Sequence, residues 1–290
     1  MPFSLPVTLP DTLSAVVDHH LGQWLGAVHQ AGLEPDLQQL GDSFMAELQL
    51  VLAGSDFVAE QLRRDPVMAW RLVEDQRLSR SLAPGEMAQL LSQQLDAALT
   101  EEQFAQALRR FRQQHQVRII WRDITRQAST MDTTRDLSDM ADACLEQAYR
   151  WVYAQLESEF GTPCSEEGEQ QHLVVLGMGK LGAQELNLSS DIDLIFAFPS
   201  QGETQGGRRS LSNQEFFTRV GQKLIRLLDE VTVDGFVFRV DMRLRPYGDS
   251  GALVFSFNAL EQYYQSQGRD WERYAMIKAR VVAGDQVAGA

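Results

Sequence analysis

The chain has 290 residues, 44% of them hydrophobic, and a formal charge of −14 at neutral pH. This length and composition suit one large globular domain or two ordinary ones with real cores. The acidic balance excludes a general nucleic-acid binder, which needs a basic footprint.

No uninterrupted apolar run reaches transmembrane length. The N-terminus, MPFSLPVTLPDTL, lacks the basic-then-apolar order of a secretory leader. Cys144 and Cys164 are the only cysteines, which suits a reducing compartment without structural disulfides. The histidines (His19, His20, His29, His115 and His172) show no zinc-ligand spacing with them and read as surface or core residues.

The first half reads as helical. Leu13, Val16, Val17, Leu21, Trp24, Leu25 and Val28 recur at three and four, the period of an amphipathic helix. Ser55 is placed to cap a helix through Phe57, Val58 and Leu62 that breaks near Asp65-Pro66. Longer helical patterns run from Phe104 to Ile124, studded with Arg109, Arg110, Arg112, Arg118 and Arg122, and from Asp136 to Leu156. Gly161-Thr162-Pro163 is a breaker.

Composition changes after Gly168. Leu173–Leu176 and Asp191–Phe198 are strand-like, and Gly202–Arg209 reads as a loop. Ser212 opens a helix with the stripe Phe216, Phe217, Val220, Leu224, Leu227 and Leu228. Phe236–Leu244 alternates cleanly, and Gly248–Gly251 reads as a tight turn into Ala252–Phe257, making a hairpin. Asn258, followed by Glu261, begins a last helical region, and the sequence stops at VVAGDQVAGA without an evident cap, as a piece of a longer chain would. The expected fold is α+β: a helical N-terminal region over 1–165, a small mixed sheet carrying the chemistry over 166–257, and the start of a further helical region over 258–290.

The chemistry concentrates in LVVLGMGKLGAQELNLSSDIDLIFAF, residues 173–198. On a strand, Asp191 and Asp193 share one face while Ile192, Leu194 and Phe196 take the other. Carboxylates that close repel unless a cation sits between them, and a hard divalent ion such as Mg2+ takes oxygen ligands and accompanies phosphates. Gly177 and Gly179 let main chain approach a phosphate, and Lys180 and Ser190 are candidates to contact it. In FVFRVDMRLRP, the alternation puts Val237, Arg239, Asp241, Arg243 and Arg245 on one face. Asp241 thus offers a third carboxylate, enough with the others for two Mg2+ ions, and the arginines suit bidentate phosphate contacts. Asp241 alone also fits a solvated edge strand with ordinary salt bridges. Gly177-x-Gly179-x-x-Gly182 matches the dinucleotide fingerprint formally, but the full helix and the later acid that motif requires are missing.

These residues resemble the DNA polymerase β-like nucleotidyltransferase superfamily, whose pattern is a glycine turn, Asp-h-Asp on the next strand and a third Asp on a later one. Gly179, Asp191, Asp193 and Asp241 occupy those places, with Lys180 where a serine or glycine is usual. LGMGKLGAQELNLSSDIDLIF, TQGGRRSLSNQEFFTRVGQKLI, FVFRVDMRLRPYGDSG and GRDWERYAMIKAR are similar to the N-terminal half of the bacterial glutamine synthetase adenylyltransferase/adenylyl-removing enzyme family. The resemblance covers most of the chain after Ser55. Lys180-Leu181-Gly182 through Leu186-Asn187 resembles the unit that removes AMP.

The resemblance implies phosphorolysis of adenylyl-tyrosine on glutamine synthetase, with phosphate consumed and ADP released. It implies Mg2+ held by Asp191, Asp193 and Asp241, and phosphate or nucleotide (ADP or ATP) contacted by Gly177, Gly179, Lys180, Ser190, Arg243 and Arg245. It further implies PII signalling protein as a partner and a cytoplasmic setting, with no nucleic acid and no membrane. Two alternatives of other classes stand beside it: transfer of AMP from ATP onto protein, and a catalytically silent nucleotide-binding module.

Overall fold

The computed structural model describes residues 9–74, 76–95 and 99–289. Most of the stretch on which the absence of a leader was read lies outside them. The chain divides into two compact units. One comprises the described residues up to Pro84 with Phe111–Asp136, and the other Gly85–Arg110 with Leu137 onward.

The first unit is helical. It holds α1 (Asp11–Gln30), α2 (Gly41–Gly54), α3 (Asp56–Arg64) and α4 (Met68–Glu74). Ser55 caps α3 as its sequence position indicates, its hydroxyl accepting from Val58 N at 3.2 Å. The α1 stripe is only partly buried. Val17, Trp24 and Val28 reach the core, whereas Leu13, Val16 and Leu25 are more than one-third exposed. Trp24, Leu48, Val51, Leu62, Leu72 and Trp121 centre the core of this unit.

Helices α5 (Glu86–Gln94), α6 (Glu101–Ile124) and α7 (Thr130–Phe160) follow. Arg118 and Arg122 on α6 are buried, not part of a solvated face. Arg118 donates to Asp136 Oδ2 at 2.6 Å and to the carbonyls of Arg77 and Arg80, both at 2.9 Å. Arg122 donates to the Leu78 carbonyl at 2.9 Å. These guanidiniums satisfy carbonyls of a turn that has no ladder of its own.

The second unit holds the sheet. Strand β1 (Gly161–Pro163) pairs antiparallel with β4 (Thr204–Gly206), so the expected breaker and the expected loop each contribute a three-residue strand. Residues in so short a pair leave no periodicity to read. The main sheet is built on β2 (Val174–Gly177) and β3 (Ile192–Phe198), which are antiparallel, with α8 (Gly179–Gly182) between them. Helix α9 (Asn213–Asp229) begins with a capping box between Ser212 and Glu215, and its expected stripe is buried.

Two strand expectations are corrected. The alternating segment 236–244 forms only a two-residue strand, β5 (Val240–Asp241). Val237 and Phe238 are adjacent yet both buried, and both of their amides donate to the Leu228 carbonyl, so the alternation is broken upstream. The expected hairpin is absent. β6 (Val254–Ser256) and β5 both run parallel to β3, pairing respectively with Phe196–Phe198 and with Ile192–Asp193. They lie in line on one edge of β3, and Gly248–Ser250 is a 3-10 turn in the segment between them.

The last stretch is helical only at first. α10 (Phe257–Ser266) is capped by Ser256 rather than Asn258, the Ser256 hydroxyl accepting from Ala259 N at 3.3 Å. After α11 (Asp270–Ala275) and a 3-10 turn at Met276–Lys278, Arg280–Gly284 forms β7, antiparallel to β2. The sheet order is β5-β3-β2-β7, with β6 also on β3. No helix among the described residues is long and apolar enough to cross a membrane.

Candidate active site

The turn after β2 and the starts of β3 and β5 build one face. Met178 N donates to the Asp193 carbonyl at 2.9 Å, carrying the β2–β3 pairing past the strand end. Gly179 follows at φ +53°, and a Cβ there would lie 3.3 Å from Asp193 Oδ2. Main chain therefore lies directly against the carboxylate, which a glycine permits. Gly177 has a different role. A Cβ on it would lie 2.6 Å from Val282 Cγ1, so it lets β7 pack closely.

Asp193 and Asp241 are register partners on neighbouring parallel strands. The parallel register thus brings them to the same face. Asp191 sits just before β3 and is exposed. Its Oδ1 accepts from Arg239 Nε at 2.5 Å, and Arg239 Nη2 also donates to the Ser189 carbonyl at 2.6 Å. Asp241 is held by Arg243. The Arg243 backbone N–H donates to Asp241 Oδ1 at 2.8 Å, and its Nε donates to Oδ2 at 2.8 Å. The first contact is an Asx turn, so the chain leaves the strand at Asp241.

The electrostatics separate the acids. The Asp193 carboxyl is raised above its ordinary range, first by burial and then by Asp241 and Asp191, with Arg243 and Lys180 opposing. Asp241 is lowered, chiefly by the Arg243 hydrogen bond. Asp193 is thus the strained acid, and a hard divalent cation is the partner that relieves such repulsion. An all-carboxylate donor set fits that chemistry. In the arrangement described, Asp191 turns to Arg239 and Asp241 to Arg243. No group of three His, Cys, Asp or Glu side chains among the described residues is gathered to hold a metal ion.

Lys180 Nζ donates to Ser190 Oγ at 3.3 Å, and the Ser190 hydroxyl donates to Asn187 Oδ1 at 2.6 Å. Arg245, expected to contact phosphate, is turned to other partners. It is largely buried, donates from Nη1 to the Met242 carbonyl at 2.8 Å and reaches Asp249 Oδ1 at 3.5 Å.

Two supports escaped the sequence reading. Arg280 pairs with Asp142 at 2.6 and 3.1 Å and also donates to the carbonyls of Leu181 and Gly182, at 3.0 and 3.2 Å. Ser138 Oγ accepts from Leu186 N at 3.2 Å. Both fasten the turn from behind, and neither has a local spacing that would reveal it.

Acids on two adjacent parallel strands, a glycine turn against them and cations beside them are the equipment of a nucleotidyltransferase. The family model described as glutamate-ammonia ligase adenylyltransferase matches residues 45–290. The chain belongs to that family. Relatives named bifunctional glutamine synthetase adenylyltransferase/adenylyl-removing enzyme include one from Pseudomonas putida, 57% identical over 100% of this chain and 30% of its own length. Others are from Pseudomonas aeruginosa, 61% identical over 84% of this chain and 25% of its own, and from Nitrosococcus oceani, 50% identical over 97% and 29%. The chain therefore spans less than a third of the length of these relatives.

Proposed function

We propose that this chain removes AMP from adenylyl-tyrosine on glutamine synthetase by phosphorolysis. The observation that carries the reading is the register pairing of Asp193 with Asp241 behind Gly179. The relatives' name covers both addition and removal, and the resemblance of Lys180-Leu181-Gly182 through Leu186-Asn187 to the removing unit supports the second.

An oxygen of inorganic phosphate attacks the AMP phosphorus, and the bond from phosphorus to the tyrosine oxygen breaks. The phenolate leaves and takes a proton, and ADP is released. Asp191, Asp193 and Asp241 would hold Mg2+, which when bound neutralises the two anions and steadies the leaving oxygen. Lys180, Arg239 and Arg243 bind and orient phosphate oxygens, and the Gly179 main chain admits them closely. The catalytic work is assigned to residues 166–257, with 1–165 and 258–290 as flanking regions. By resemblance, the proposal extends to regulation by PII signalling protein in the cytoplasm.

The test is to incubate the protein with adenylylated glutamine synthetase, phosphate and Mg2+ and follow ADP. ADP formed in proportion to the AMP lost supports removal. AMP incorporated from ATP into unmodified glutamine synthetase, with no ADP from the first mixture, assigns the opposite direction. Neither product with intact Mg2+ binding assigns a silent nucleotide module.

A further inference from the structure

We propose that Asn187 is a positioning residue which, through the Ser190 hydroxyl, sets the Lys180 ammonium beside the acid face to receive a phosphate of a nucleoside diphosphate. The inference rests on the nucleotide chemistry proposed for the same face.

The loop from Lys180 to Ser190 has no regular structure after α8, yet it is fastened at each end and in the middle. Glu185 N donates to the Lys180 carbonyl at 2.7 Å. Leu186 is buried, and its amide is held by Ser138. Asn187 then grips Ser190 twice. Its carbonyl accepts from Ser190 N at 3.2 Å, and its Oδ1 accepts from the Ser190 hydroxyl at 2.6 Å. That second bond fixes the rotation of the hydroxyl. A serine oxygen has one hydrogen and two lone pairs. With the hydrogen committed to Asn187, the lone pairs are free to accept the Lys180 ammonium at 3.3 Å.

A lysine has a flexible four-carbon stem and loses rotamer freedom when it engages a ligand. Tethering the ammonium in advance removes part of that loss, which is how preorganisation raises affinity. Lys180 follows Gly179, at which a Cβ would lie 3.3 Å from Asp193 Oδ2, and its tether Ser190 directly precedes Asp191. The tether therefore holds the cation at the face where the phosphate must come.

The bland reading is a set of surface hydrogen bonds with no bearing on ligand. The two readings part in a double-mutant cycle. Binding of ADP with Mg2+ is measured by calorimetry for the parent, Asn187→Ala, Ser190→Ala, Lys180→Met and the Lys180→Met/Asn187→Ala pair. Asn187→Ala and Ser190→Ala should each weaken ADP by about five-fold, the worth of one net hydrogen bond. Lys180→Met should weaken it at least as much, and adding Asn187→Ala to it should change nothing more. Asn187→Ala binding like the parent, or weakening ADP equally with and without Lys180, overturns the proposal. So does a parent that does not bind ADP. A parent that shows the expected cycle but forms no ADP from adenylylated glutamine synthetase and phosphate retires the phosphorolysis and leaves the positioning role standing.

Discussion

Asp142 on α7 is a half-buried acid whose titration should be visible in the stability of the sheet-bearing unit. Although Arg280 grips it with two hydrogen bonds, burial is the larger influence and lifts its pKa from 3.8 to about 6. The folded state thus holds this proton more tightly than the unfolded chain does. Its contribution to stability is full below pH 3.8 and is lost as pH rises through 6. At neutral pH the ionised carboxylate costs up to about 3 kcal/mol relative to the protonated form, at roughly 1.4 kcal/mol per pKa unit.

Asp142→Asn removes the titration and keeps an acceptor for Arg280. Other carboxylates titrate in both proteins, so the informative quantity is the difference between them. Urea unfolding of parent and variant between about pH 4.5 and 7.5 should show the parent losing roughly 2 kcal/mol relative to the variant as pH rises. Parallel curves would mean that Asp142 titrates normally, and would remove burial as the dominant influence on it.

Three further outcomes follow from the site. Asp193→Asn should abolish ADP formation, while the melting temperature without metal holds or rises because repulsion from Asp241 and Asp191 is relieved; turnover at saturating Mg2+ would falsify its role. Arg245→Ala should lower stability by about 1–2 kcal/mol through loss of the Met242 carbonyl contact. It should leave the phosphate concentration for half-maximal rate unchanged, and a raised half-saturation at unchanged melting temperature would return Arg245 to anion capture. Gly182→Ala should cost more than about 3 kcal/mol, since overpacking against main chain has no easy relief. Its Cβ would lie 1.7 Å from the Lys278 carbonyl oxygen, and a variant with the parent's urea midpoint would contradict that collision.

The legible parts of the fold are those whose local signal is long or redundant. Strands β2 and β3 are apolar runs bounded by glycines and acids, and α9 carries both a capping box and a full stripe. The alternation at 236–244 misled because period two requires a partner along its whole length, and β3 offers this segment only Ile192 and Asp193. The β7 segment, RVVAG, has neither the acids nor the glycine turn that mark β2 and β3, and periodicity alone does not separate so short an apolar run from a trailing end. That Asp193 and Asp241 share a face depends on the parallel register of β3 with β5, which alternation within either segment does not encode. Nor does alternation encode where the guanidiniums go. Arg239 and Arg243 reach the acids, whereas Arg245 turns inward to a carbonyl three residues back. The choices of Arg243 and Arg245 depend on the turn after β5, and no pattern of residue types encodes that turn.

The placement of β7 has a practical consequence for anyone dividing this polypeptide. β7 covers β2 along Val174–Gly177, so a boundary drawn after the acids but before Arg280 would uncover the amides and carbonyls of an apolar strand. An open, hydrophobic edge of that kind invites pairing with other chains. A fragment ending near residue 257 would keep all three acids and should still precipitate, whereas one carried past Gly284 keeps β2 paired along its length.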